Sequence, residues 1–166
     1  MAEGKAVLYL KRGLVYILGL FIMAIGVVFS VKSALGVSPV TCLANVVHQI
    51  SAVDLGVCTT AVYCLYILVE VIILRREFKA SMLLQILAST FFGLLVSLAT
   101  RLFAFLPAPN TYVMQLVFLV CSIPMVAFGV MLYLAPQILP TPGEGLSIAV
   151  SKKTGLSVAN CKMITD

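Results

Sequence analysis

The chain is written in long apolar runs separated by short polar breaks. Four runs are long enough to cross a bilayer, which takes about 20 mostly apolar residues. They lie at about 13–31 (GLVYILGLFIMAIGVVFSV), 57–74 (VCTTAVYCLYILVEVIIL), 82–100 (MLLQILASTFFGLLVSLAT) and 112–136 (YVMQLVFLVCSIPMVAFGVMLYLAP). Hydrocarbon offers no partner to a backbone amide or carbonyl, so each run must satisfy its own as a helix. The pattern predicts an all-α, polytopic integral membrane protein, one transmembrane domain over residues 1–166.

Two further segments are periodic but too short to span. Ser38-Pro39 and Thr141-Pro142 each place a preferred N-cap before a proline at the first helical position. The segments they start, about 39–52 and 142–153, read as half-helices. VTCLANVVHQIS has apolar positions at 40, 43, 46, 47 and 50, a one-faced helical spacing, and GEGLSIAVSKK keeps 146, 149 and 150. Such helices are either re-entrant or interfacial, and irregular backbone beside them survives only when buried in protein or lining a wet cavity. Asp54 is placed to cap the second span, and Ser157 to cap the start of a fifth.

Composition agrees with the pattern. Hydrophobic residues make up 62% of the chain and charged residues 10%, against about a quarter charged in a soluble domain. Lys5, Lys11 and Arg12 resemble the start of a signal peptide. The run behind them is longer than the 7–15 residues of a signal's apolar core, and no small-residue cleavage site follows. The five cysteines show no CxxC and no metal-ligand pairing with His48, so they read as small apolar packing residues.

Charge reports topology. The net charge of +5 resides in small clusters at span ends: Lys11 and Arg12, then Arg75, Arg76 and Lys79, then Lys152 and Lys153. The LPAPNT loop between spans three and four is uncharged. Under the positive-inside rule the N-terminus and the two later clusters are cytoplasmic, and 106–111 faces out. This distribution argues against nucleic acid as a partner. Lys32 and Arg101 fall near the outer face, where long side chains snorkel to the headgroups.

A shift of 103 positions brings Ala24-Ile25-Gly26-Val27 onto Ala127-Phe128-Gly129-Val130. Ser38-Pro39 then meets Thr141-Pro142, Leu43 meets Leu146 and Val47 meets Val150; Asp54-Leu55-Gly56-Val57 matches Gly155-Leu156-Ser157-Val158 after a two-residue gap. The repeats are about 8–106 and 111–166, the second incomplete. The first holds three spans and starts inside, so the second starts outside, and the halves are inverted as in many secondary transporters. After Gly155 the chain offers only LSVANCKMITD, so spans five and six are expected beyond Asp166.

Candidate chemistry gathers at the half-helix starts. Glu144 stands three residues after Thr141, the capping-box spacing, and its carboxylate is also suited to a cation, a proton or a basic substrate group. Asn45, Thr41, Ser38, Thr141 and Ser147 supply donors and acceptors around it. Helix N-termini favour an anion, so the substrate's charge stays open. Pro39, Pro142, Gly143, Gly145, Gly26 and Gly129 are candidate hinge or packing positions. Glu70 reads as an interfacial ion-pair partner of Arg75 and Arg76, His48 as a hydrogen-bonded or solvated ring, and Pro124 as a tolerated kink. No Walker loop, Ser-His-Asp set or His-rich motif is present, so neither an enzyme nor a cofactor is expected.

With those residues in hand, "SALGVSPVTCLANVV" (33–47) and "PTPGEGLSIAVSKKTGLS" (140–157) resemble the YczE/YitT-type bacterial integral membrane proteins. Pro142, Gly143, Gly145, Leu146, Thr154 and Gly155 carry the likeness. It implies five to six spans in a bacterial inner membrane and brings no substrate and no catalytic residue. The chain ends before the soluble C-terminal domain of the YitT branch.

The expected function is secondary transport of a small solute or ion by alternating access around the paired half-helices. The alternative is a non-transporting membrane component that assists assembly, secretion or signalling of a partner protein. Either implies the lipid bilayer as partner, with a second copy or another membrane protein as the macromolecular candidate.

Overall fold

The computed structural model describes residues 2–75, 84–107, 109–136 and 141–165. The expectations resting on Arg76, Lys79 and a third span beginning at Met82 lie outside the described residues. Among those described there are seven helices and no strand: α1 (Ala2–Ser33), α2 (Pro39–Ser51), α3 (Leu55–Leu74), α4 (Leu84–Leu102), α5 (Tyr112–Leu134), α6 (Pro142–Thr154) and α7 (Val158–Thr165). Within them, Leu10–Ser33, Leu55–Leu74, Leu84–Leu102 and Tyr112–Leu134 are long and apolar enough to cross a membrane.

These helices are dressed for lipid. Leu14, Leu65, Leu68, Leu87, Leu94, Val117 and Ile123 are exposed, while Thr59, Glu70, Gln85, Ser89 and Ser122 are buried. Lipid tails give apolar side chains no reason to hide, so helices associate through small residues and internal polar groups. Hydroxyls settle on their own helices: Thr59 donates to Leu55 O at 2.7 Å and Ser89 to Gln85 O at 2.6 Å.

The chain forms two compact units. In the first, α1 packs along α5 through glycines. A Cβ on Gly26 would lie 2.9 Å from Val126 N, and one on Gly129 would lie 2.6 Å from Met23 N. The contact is reciprocal: Gly26 and Gly129 are 103 positions apart, and so are Met23 and Val126. Phe29 stacks on Phe118 and meets Phe103 edge-on, both at 5.2 Å between ring centroids. Lys32 donates to Leu106 O at 2.8 Å, in the 106–111 segment. That carbonyl lies just past the end of α4, where the helix can no longer supply a donor.

The second unit is built on α3. Asp54 caps it as its position predicts, accepting from Gly56 N at 2.9 Å, and Ser97 of α4 also donates to the Asp54 carboxylate. Gly56 and Gly93 let α3 and α4 touch: a Cβ on Gly93 would lie 2.6 Å from Gly56 O. The helix α2 folds back after Ala52, in the left-handed region at φ 54°, and buries Thr41 and Ala44, the latter against Cys58 and Val62. Its apolar stripe points the other way: Leu43, Val46, Val47 and Ile50 are exposed, Ile50 at 82%. The one-faced spacing is real, but the face it marks is not the packed one, because in lipid the small residues make the contact.

The second short helix is spaced from the first as the sequence shift requires. Both have 13 residues, beginning at Pro39 and Pro142, and both end on a left-handed residue, Ala52 and Gly155. Their exit turns match bond for bond. His48 Nδ1 hydrogen-bonds Val53 O where Ser151 Oγ donates to Leu156 O, and Val53 N donates to Ser51 Oγ where Leu156 N donates to Thr154 Oγ1. The next helices begin at Leu55 and Val158, again 103 positions apart. Asp54 and Ser157, also 103 positions apart, stand just before these helices, and the Ser157 hydroxyl accepts from Asn160 N at 3.3 Å. Buried Cys58 corresponds to buried Cys161.

Candidate functional site

The two short helices meet at their N-termini. A Cβ on Gly143, in the first turn of α6, would lie 3.3 Å from Val40 Cγ2, in the first turn of α2. Both helices lie on α3, α2 over its N-terminal half at Cys58 and Val62 and α6 further along at Glu70. Ser38 and Thr141 hold extended backbone just before the prolines, and neither side chain makes a cap hydrogen bond. Proline at the first position already removes one amide that would need a cap. In α6 the Thr141 carbonyl accepts from the amides of both Glu144 and Gly145, at 3.0 and 2.8 Å.

All six polar candidates fall in this unit. Ser38 Oγ and Thr41 Oγ1 are hydrogen-bonded to one another at 2.9 Å. Asn45 Oδ1 is buried and finds no hydrogen-bond partner among the described residues. Thr141 and Ser147 are buried, and Ser147 donates to Gly143 O at 3.1 Å. Glu144 is mostly enclosed, faces Lys162 of α7 at 3.9 Å and lies within electrostatic reach of Tyr63. A long pair with one exposed partner adds at most about 1 kcal/mol. It does fix the carboxylate at the start of α6, where the helix dipole favours a negative charge.

Gly143 and Gly145 permit the close approach, and Gly145 marks what the sequence reading missed. A Cβ there would lie 2.9 Å from Glu70 Oε2, 3.0 Å from Gln85 Nε2 and 3.2 Å from Gln85 Oε1. The ion pair expected of Glu70 with Arg75 is not made, and Arg76, its other expected partner, lies outside the described residues. Among the described residues Glu70 makes no salt bridge, and it is 0% exposed. The reason is helical phase: Tyr63, Ile67, Glu70 and Leu74 share the buried face of α3, while Arg75 is exposed. Tyr63 stacks on Phe92 of α4 at 5.8 Å, closing the same face. Sequence did hold a signal, since an acid inside an apolar span marks function by default. Its nearness to the arginines outweighed that signal, and nothing local pointed to Gln85.

Gly26 and Gly129 lie in the other unit, at the α1–α5 crossing. His48 Nδ1 donates to Val53 O, which ties the ring to the exit turn of α2. Pro124 sits inside an α5 that continues on both sides of it. Among the described residues no group of three metal-ligating side chains converges.

Four apolar spanning helices, with hydroxyls, an amide and a carboxylate buried along them, make this a multi-pass helical membrane protein in build. The chain belongs to DUF6198, a family of unknown function whose model matches residues 10–166. No curated protein and no solved structure matches it.

Proposed function

We propose that this protein is a secondary transporter of a small solute or ion, working by alternating access at the point where α2 and α6 meet. The carrying observation is the junction itself. Two proline-started half-helices bring their N-termini together on one spanning helix, the arrangement that discontinuous helices give transporter sites. Thr41, Thr141, Ser147 and the unpartnered Asn45 carbonyl supply polar groups there, and Glu144 supplies a charge.

An inverted repeat supports the same reading. The 103-position spacing extends to helix lengths, exit turns and the reciprocal Gly26–Val126 and Gly129–Met23 contacts. Reciprocal contacts are what a two-fold axis relating the halves produces. The repeats run from about 8 to 106 and from about 111 to 166, in an inner membrane with the N-terminus cytoplasmic, as the basic clusters and the YczE/YitT-type resemblance indicate. No enzymatic role is part of this reading.

Thr41→Cys, with the five native cysteines replaced by alanine, provides the test. Alternating access predicts labelling by a membrane-impermeant maleimide from both sides, in oriented cells and in inverted vesicles. Labelling from one side only, or from neither, contradicts it. Glu144→Gln is expected to abolish solute-evoked currents on supported membranes, across a panel of small anions, cations and neutral solutes, at unchanged membrane level.

A further inference from the structure

We infer that Glu70 and Gln85, against the backbone of Gly145, form a site for a single positive charge: a proton or an alkali cation. Glu70 on α3 is 0% exposed and Gln85 on α4 is 1% exposed. Both Glu70 carboxylate oxygens and Gln85 Oε1 lack a hydrogen bond of good geometry among the described residues, although the Gln85 amide is the polar group that interacts with Glu70. Glu70 Oε2 and the Gln85 side-chain amide, its Oε1 included, therefore meet beside one glycine, where any side chain would intrude.

That is an unbalanced arrangement. Removing a carboxylate from water costs several kcal/mol unless a positive charge and hydrogen bonds accompany it. Among the described residues the surroundings supply little. Along α3 stand Tyr63 and the exposed Arg75, and the described part of α4 bears only Arg101, at its far end. From α6 come Glu144, itself negative and facing Lys162 of α7, and Lys152, an exposed ammonium that acts on Glu70 through space. One carboxylate with one amide oxygen suits one positive charge. A divalent ion takes six or more oxygens, usually from several carboxylates. A proton would sit on a Glu70 oxygen and be donated to Gln85 Oε1; an alkali cation would be held by the oxygens of both.

The role as coupling ion rests on the transport reading; the binding does not. The purified chain in detergent is unfolded thermally at pH 6 and pH 8, in sodium chloride and in choline chloride of equal ionic strength. The expected result is a midpoint shift of several degrees with sodium, which assigns an alkali cation, or with pH alone, which assigns a proton. Glu70→Gln should lose that shift while staying folded. Infrared difference spectra of the unmodified chain give a second readout, a protonated-carboxyl band that changes with pH or sodium. A wild type insensitive to both ions in both measurements overturns the site, as does a shift that survives Glu70→Gln and vanishes in Glu144→Gln. Lost ion response, with the Thr41→Cys variant still labelled from both sides, would remove the site alone. One-sided labelling of that variant with the response intact would remove the transport reading alone.

Discussion

Single residues matter here chiefly where backbones touch. Gly93 has Gly56 O and the Thr60 hydroxyl in the space a Cβ would take. Gly93→Ala must therefore push α3 and α4 apart, an overpacking change of about 1–3 kcal/mol. Thermal unfolding in detergent should show the loss, while Gly13→Ala, at a helical glycine with nothing within 4 Å, should leave the midpoint unchanged or slightly raised. Asp54 illustrates the polar counterpart. Its carboxylate receives the Gly56 amide and the Ser97 hydroxyl, so it ties the start of α3 to α4. Asp54→Ala is expected to cost about 1 kcal/mol or somewhat more, the usual value of a lost N-cap, with Asp54→Asn recovering most of it in the same assay.

At the scale of elements, the short helices reverse the usual meaning of an apolar stripe. If α2 packs through Thr41 and Ala44, then Ala44→Leu should overfill the contact with Cys58 and Val62 and cost about 1–3 kcal/mol. Ile50→Ala, at an 82% exposed position, should change stability by no more than about 0.5 kcal/mol. Equal effects of the two substitutions in thermal unfolding would mean that the stripe is the packed face after all. This marks the limit of what the sequence made legible. Four spans, two proline-started helices and the caps at Asp54 and Ser157 follow from local rules, because length, N-cap chemistry and proline placement act within a few residues. Which face of α2 is buried depends on the solvent outside it. The surroundings of Glu70 depend on α4 and α6, which reach it from residues 85 and 145. No local pattern holds that information, whereas the junction of the half-helices was foreshadowed by matching Ser38-Pro39 with Thr141-Pro142.

For the whole molecule the decisive quantity is the direction of each half across the bilayer. The two short helices start at a common point, with Val40 beside Gly143, and cover successive stretches of α3. If the halves are inverted, these two helices carry their C-termini to opposite faces of the membrane. Ile50 and Lys153 occupy corresponding places near those C-termini and both are exposed, which makes them suitable reporters. In a chain whose native cysteines are alanine, Ile50→Cys should be labelled by an impermeant maleimide from the outside of intact cells. Lys153→Cys should be labelled only in inverted vesicles, consistent with Lys152 and Lys153 forming a cytoplasmic basic cluster. Labelling of both positions from the same side would overturn the inverted repeat, and with it the geometric basis for rocking one half against the other. Opposite labelling would leave the transport reading standing on two independent supports, the orientation of the halves and the access of position 41 from both sides.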